Sequence, residues 1–167
     1  MKISKNFSYH EIIRSEIGSR LGMDNTPGKQ EIINITALVQ TCMQPIRDHY
    51  NRVVTVTSGY RSKEVNSACG SDNDGRSQHC RGMAIDWEIF GIDNFSLIQE
   101  VPKIVPTWDK LISEYYNENI GPDSGWIHLS FNPVGQNRRE VLKAVRKNGK
   151  TVYEPLDLTE NDATKNT

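Results

Sequence analysis

The string Ser77-Gln78-His79-Cys80-Arg81-Gly82-Met83-Ala84-Ile85-Asp86 is the most informative in the chain. Its first half closes a polar, glycine-containing segment, Gly70 to Arg81, that reads as a loop by composition. Its second half opens a run from about Met83 to Ile89 that reads as a strand. Asp86 interrupts this run between Ile85 and Trp87, where an apolar side chain is expected. A buried carboxylate needs a partner, and a divalent cation is a good one. The competing reading is a carboxylate bonded to backbone amides or to an arginine. His79 lies at the loop end, where a chain reversal can bring it to the same ion. Gly82 permits a close backbone approach or a positive φ at that point.

Further along, Trp126 to Phe131 alternates as a strand does. Trp126, His128 and Ser130 point one way, and Ile127, Leu129 and Phe131 the other. His128 taken alone reads as a satisfied core histidine. With His79 and Asp86 it completes a set of two nitrogens and one oxygen. Such a set leaves a fourth position open, as catalytic zinc sites require, so one Zn2+ ion is expected. Cys80 neighbours His79, but adjacent side chains of an extended segment point apart, which argues against a thiolate ligand. His10 and His49 fall in helical segments and read as structural or exposed.

Working outward, Phe7 to Gly18 reads as a short helix capped by Ser8, with Glu11 as reciprocal partner. From Gln30 to Tyr50, Ile32, Ile35, Val39, Cys42 and Ile46 recur at helical spacing and predict a buried stripe. Pro45 predicts a bend or an irregular turn in that run. Arg52 to Thr57 reads as a strand leading into Ser58-Gly59-Tyr60-Arg61, and Ser62 caps a short helix to Ala68. Ser96 with Gln99 matches a capping box for a helix over Phe95 to Val105.

Trp108 to Tyr116 alternates, with Ile112, Glu114 and Tyr116 on one face and Leu111, Ser113 and Tyr115 on the other. Val141 to Val152 reads as a hairpin turning at Asn148-Gly149, or as a short helix up to Val145. Together these elements predict an α+β fold. It is one compact domain over residues 1–157, with a small, mainly antiparallel sheet carrying the metal residues and helices on one side. Residues 158–167 read as a polar, frayed tail.

The 167 residues suffice for one core, and 36% hydrophobic and 25% charged residues fit a soluble globular protein. A net charge of -1, with aromatics not interleaved with a basic run, argues against nucleic acid as partner. No apolar run predicts a signal peptide or stable membrane insertion, so the chain is expected to fold in the cytoplasm as a monomer. Three cysteines without a CxxC pair do not form a disulfide framework.

The motifs in order resemble the M15 family of zinc peptidases, in particular its D-alanyl-D-alanine carboxypeptidase-like group, which includes phage endolysins. The resemblance runs from Phe7-Ser8 through Thr57-Ser58-Gly59-Tyr60-Arg61, Ser77-Gln78-His79, Gly82-Met83-Ala84-Ile85-Asp86, Asp109-Lys110-Leu111-Ile112-Ser113-Glu114 and Trp126-Ile127-His128. It implies His79, Asp86 and His128 as zinc ligands, Arg61 in substrate binding and Ser77 near the same pocket. Zinc would then polarise the scissile carbonyl and lower the pKa of water. Arg61 could pair with a peptide carboxylate or support developing charge on the carbonyl oxygen. Its bland reading is a structural ion pair or a simple exposed charge after a strand, and that of Ser77 is turn capping.

Many members of the family carry an acid three residues before the last ligand. Gly125 stands there in this chain. Glu114 matches a Glu that ends the D-x-L-I-x-E strand in the closer group, so the resemblance implies it as the first candidate for the general base; Asp123, in the loop before His128, is the second, with a surface carboxylate or an imidazole-orienting role as alternatives. Trp126 is expected as a pocket wall or as core packing. The resemblance implies hydrolysis of peptidoglycan stem or cross-link peptides, at D-Ala-D-Ala or at L-Ala-D-Glu. It also implies a phage lytic enzyme reaching the wall after membrane opening, or one carried on the virion. The alternative of a different class is a non-catalytic wall-binding or virion structural domain that keeps the fold.

Overall fold

The computed structural model describes residues 1–71, 74–122 and 124–158. Asp123 and residues 159–167 of the expected tail lie outside the described residues, while Leu156 and Leu158 still pack against the core. The fold is α+β, as expected. No described helix is long and apolar enough to cross a membrane.

The N-terminal helix of the sequence reading is in fact two. Helix α1 (Tyr9–Ile13) carries the expected Ser8–Glu11 capping box, and α2 (Glu16–Leu21) follows with Ser15 as its own cap. The break falls at Arg14, whose backbone is extended, so that Ser15 can accept from the Gly18 amide. The long helical stretch is α3 (Lys29–Leu38), a π-helical turn at Val39–Met43, and α4 (Gln44–Tyr50). Pro45 lacks an amide hydrogen and sits in the first turn of α4, so the irregularity is taken up just upstream of it. Ile35, Val39, Cys42 and Ile46 are buried as expected, joined by Leu38 and Met43. Burial pushes the Cys42 thiol up to about 12, which leaves it inert in the core.

Strand β1 spans Thr55–Ser58, three residues later in its start than expected, because its partner β2 (Ala84–Glu88) reaches only to Thr55. Helix α5 (Lys63–Ala68) is capped by Ser62 as expected. Helix α6 (Asn94–Ile104) is capped by Asp93 rather than Ser96: the Asp93 carboxylate accepts from the Ser96 amide at 2.7 Å. Strands β3 (Lys110–Glu114) and β4 (Trp126–Ser130) follow, then a hairpin of β5 (Glu140–Lys147) and β6 (Lys150–Pro155). The hairpin turns at Asn148-Gly149, which rules out the helical alternative there.

The strands form one open mixed sheet in the order β1-β2-β4-β3-β5-β6. All neighbours are antiparallel except β3 and β5. One face presents Ile85, Trp87, Leu111, Ile127 and Leu129 to the helices, in a core shared with Leu38, Ile46, Leu97 and Ile98. Strand alternation then puts Asp86, His128, Ile112, Glu114 and Trp126 on the opposite face. The alternation breaks at Tyr115, whose φ is 56°. Tyr115, expected to point away with Leu111 and Ser113, instead borders the same cleft as Glu114. Tyr116 turns off to stack on Phe95, with its hydroxyl donating to Asp93 at 3.0 Å.

Candidate functional site

Register fixes the site before any side chain is considered. Asp86 pairs with His128, and His128 with Ile112, across three adjacent strands. One step along, Trp126 pairs with Glu114, Glu114 with Ala144, and Ala144 with Tyr153. Two rows about 7 Å apart therefore run across one face of the sheet, the first carrying two proposed ligands and the second the proposed base.

His79 joins the first row from outside the sheet, on a 3-10 turn at His79–Arg81. Helix α3 fixes this turn: the Asn34 side-chain amide donates to the Arg81 carbonyl at 2.8 Å. The turn ends at Gly82 with φ 66°, and a Cβ there would sit 2.7 Å from the Glu31 carbonyl oxygen. Both reasons expected for a glycine, positive φ and close approach, hold.

The three ligand candidates come together and are buried. His79 Nε2 lies 3.4 Å from Asp86 Oδ1 and 3.3 Å from His128 Nδ1, and His128 Nδ1 lies 2.9 Å from Asp86 Oδ1. Tetrahedral ligands at about 2.0–2.1 Å from a zinc ion stand about 3.3 Å from one another, so the triangle has the dimensions of such a site. His79 Nδ1 donates to the Gly59 carbonyl at 2.7 Å, which assigns the free lone pair to Nε2, the atom in the triangle. Burial pushes the His79 imidazole down against the pull of Asp86, which keeps it neutral and available as a ligand. Burial alone would raise the Asp86 carboxyl, but the two imidazoles outweigh it and hold it well below the usual carboxylate range. The donor set and its spacing fit one divalent cation. Cys80 stays outside the group, with its thiol pushed up by burial.

The triangle opens into a cleft of about 930 Å³ that Arg61, Ser77, Glu114 and Trp126 also border. Burial, and then the charge of Asp86, raise the Glu114 carboxyl above its usual 4.5, with His128 and Arg61 pulling the other way. Arg61 Nε is buried without a hydrogen-bond partner among the described residues, which does not fit the reading of Arg61 as a structural ion pair. Ser77 borders the cleft at the head of the turn, where its backbone carbonyl accepts from the Cys80 amide at 3.1 Å.

Gly125 explains why no acid stands before the last ligand. Its φ is 69°, and a Cβ would fall 2.0 Å from the carbonyl oxygen of Glu114 itself. The backbone that excludes a side chain at 125 is the one that brings Glu114 beside Trp126. The loop before β4 is anchored by Asn94, whose amide donates to the carbonyls of Ser124 and Gly125 at 3.2 and 3.1 Å.

Two features escape the sequence reading. Asp109 is buried and bonded to Arg138 Nε at 2.8 Å and to the Gln78 side chain at 2.8 Å. The Arg138 bonds, ahead of the cost of burial, hold its carboxyl down at about 2. It ties the His79 segment to the chain that enters β5. An acid between Trp108 and Lys110, at the head of an alternating strand, is the same kind of signal that singled out Asp86. The second feature is the place of the β5–β6 hairpin beside β3, which adds Arg146, Thr151 and Tyr153 to the cleft.

A family model described as Peptidase M15 matches residues 5–130. The chain belongs to the M15 peptidase family. Its members are metallopeptidases, and the match includes all three residues of the triangle together with Arg61 and Glu114. A search of curated proteins finds no match.

Proposed function

We propose that this M15 metallopeptidase is a zinc enzyme that hydrolyses peptide bonds in bacterial peptidoglycan, as a D-Ala-D-Ala carboxypeptidase or an L-Ala-D-Glu endopeptidase, and serves as a phage lytic enzyme. The observation that carries the reading is the buried His79–Asp86–His128 triangle opening into a cleft with Glu114 on its wall. Imidazole and carboxylate donors with tetrahedral spacing favour zinc over harder cations. When bound, the ion supplies Lewis acidity to the scissile carbonyl and to water.

The chain's own residues do the remainder. Arg61, whose buried Nε has no partner among the described residues, pairs with a carboxylate of the stem peptide and sets its register in the cleft. Glu114 takes the proton from the attacking water at its carboxylate and returns it to the amide nitrogen as the C–N bond breaks. Its partial burial suits the first of these steps, because a raised carboxyl is the stronger base and takes a proton from water more readily. Trp126 walls the cleft beside Glu114, and Ser77 offers a hydroxyl to the peptide backbone.

The test is mass spectrometry of peptidoglycan fragments after incubation with zinc-loaded protein and with a chelated control. The expected result is new peptide termini that require metal, with masses that distinguish the two bonds. Binding of wall fragments with no new termini, on walls of several chemotypes and with metal confirmed bound, would instead support a wall-binding domain.

A further inference from the structure

The β5–β6 hairpin lies beyond residue 130, where the family match stops, yet it forms one side of the cleft. Its two faces differ in how their cations are paired. On the face away from the cleft, Glu154 pairs with both Lys143 and Lys147. On the cleft face, Arg146 stands opposite Thr151, and Tyr153 stands opposite Ala144 in the row of Glu114. Ala144, between Glu114 and Tyr153 in that row, is small and buried.

Arg146 is held in place without a carboxylate. Its guanidinium carbon lies 5.4 Å from the centroid of the Tyr115 ring, and Nη1 donates to the Gly149 carbonyl at 3.3 Å. The Tyr115 hydroxyl is bonded to Thr151 Oγ1 at 2.7 Å, which joins the hairpin to the end of β3. Among the described residues no acid pairs with Arg146, whereas Arg138 is bonded to Asp109 and Glu140. Arg61 follows β1 at the opposite edge of the sheet. The metal residues and Glu114 therefore lie between two guanidinium groups that have no carboxylate partner among the described residues.

We propose that Arg146, Thr151 and Tyr153 form a second anion subsite, which takes a carboxylate of the peptide on the side of Glu114 away from Arg61. The inference rests on the reading of the cleft as a peptide site and specifies its substrate: a peptide with an acidic group on each side of the bond to be cut. The wall of this subsite is a cation with two hydroxyl donors, a set suited to a carboxylate and poorly suited to its neutral amide.

The test is calorimetric binding of a stem tetrapeptide with two free carboxylates to the zinc-loaded protein, compared with the same peptide singly amidated at each carboxylate in turn. Wild-type protein is expected to bind the dianionic peptide about tenfold more tightly than one singly amidated form. In Arg146→Gln that ratio should fall to about twofold or less, in Tyr153→Phe it should fall part-way, and Arg146→Lys should restore part of it. The difference should narrow with added salt. An unchanged ratio in Arg146→Gln overturns the proposal, and so does absence of binding by every peptide. Cleavage is measured on the same samples. A normal ratio without cleavage counts against the peptidase reading and leaves the subsite standing, whereas normal cleavage with no ratio counts against the subsite alone.

Discussion

The two sides of the cleft are built differently. The metal side rests on buried groups: His79, Asp86 and His128 are each less than a tenth exposed. Their supports are also inside the fold, from the Gly59 carbonyl to Asn34 and the Gln78–Asp109 bond. The hairpin side is made of exposed Arg146 and Tyr153 and half-buried Thr151 on the last two strands, with Tyr153 54% exposed. The metal side lies within the segment that matches the family, and the hairpin does not. On the proposed reading, the chemistry belongs to the buried side and the choice of substrate to the exposed edge.

The largest effect expected on the metal side follows removal of a ligand. Asp86→Ala or His79→Ala should lose the ion and reduce peptide cleavage to that of the chelated control, read by metal analysis and product masses. Glu114→Gln separates chemistry from metal binding: kcat/KM should fall about 10²–10⁴-fold with metal content unchanged. With Glu114 as the proposed base, working deprotonated and with its carboxyl raised, wild-type activity should climb with pH through a value above 4.5. That limb should be missing from the residual activity of the Gln variant.

Stability changes come next. Gly125→Ala places a Cβ against the Glu114 carbonyl, and should cost about 2–4 kcal/mol in urea unfolding. Asp109→Asn should cost about 1–2 kcal/mol near neutral pH. The sign of its pH dependence is set by a folded pKa of about 2, below the usual 3.8. The stabilisation is fully present above the unfolded value and is lost as pH falls toward 2, so wild type and variant should converge over that range. Smallest is Arg146→Gln, with stability unchanged and only the preference for the second carboxylate reduced. A large loss of stability there would break the contrast between the two sides.

Most of the metal side was legible in the sequence because its signals are local. A carboxylate inside the apolar run Ile85–Trp87, a histidine in the alternation of Trp126 to Phe131, and a glycine at 82 each violate the pattern around them for a reason. Strand alternation also placed Glu114 opposite Leu111 and Ser113 correctly. The misplacements came from competing local chemistry. Asp93 outbid Ser96 as a cap, and Tyr115 left the strand at a positive φ and so crossed to the cleft. The hairpin itself was read from Asn148-Gly149, but its place was not. Its parallel pairing with β3 joins residues about thirty apart, across the intervening β4, and no local pattern encodes that contact. The Asp109–Arg138 pair was hidden for the same reason.

The account depends first on the triangle of His79, Asp86 and His128 being a metal centre. Native mass spectrometry of the zinc-treated protein and of Asp86→Ala measures this directly. One zinc ion on the wild-type chain and none on the variant is the expected result. An equal metal load on both would contradict the site.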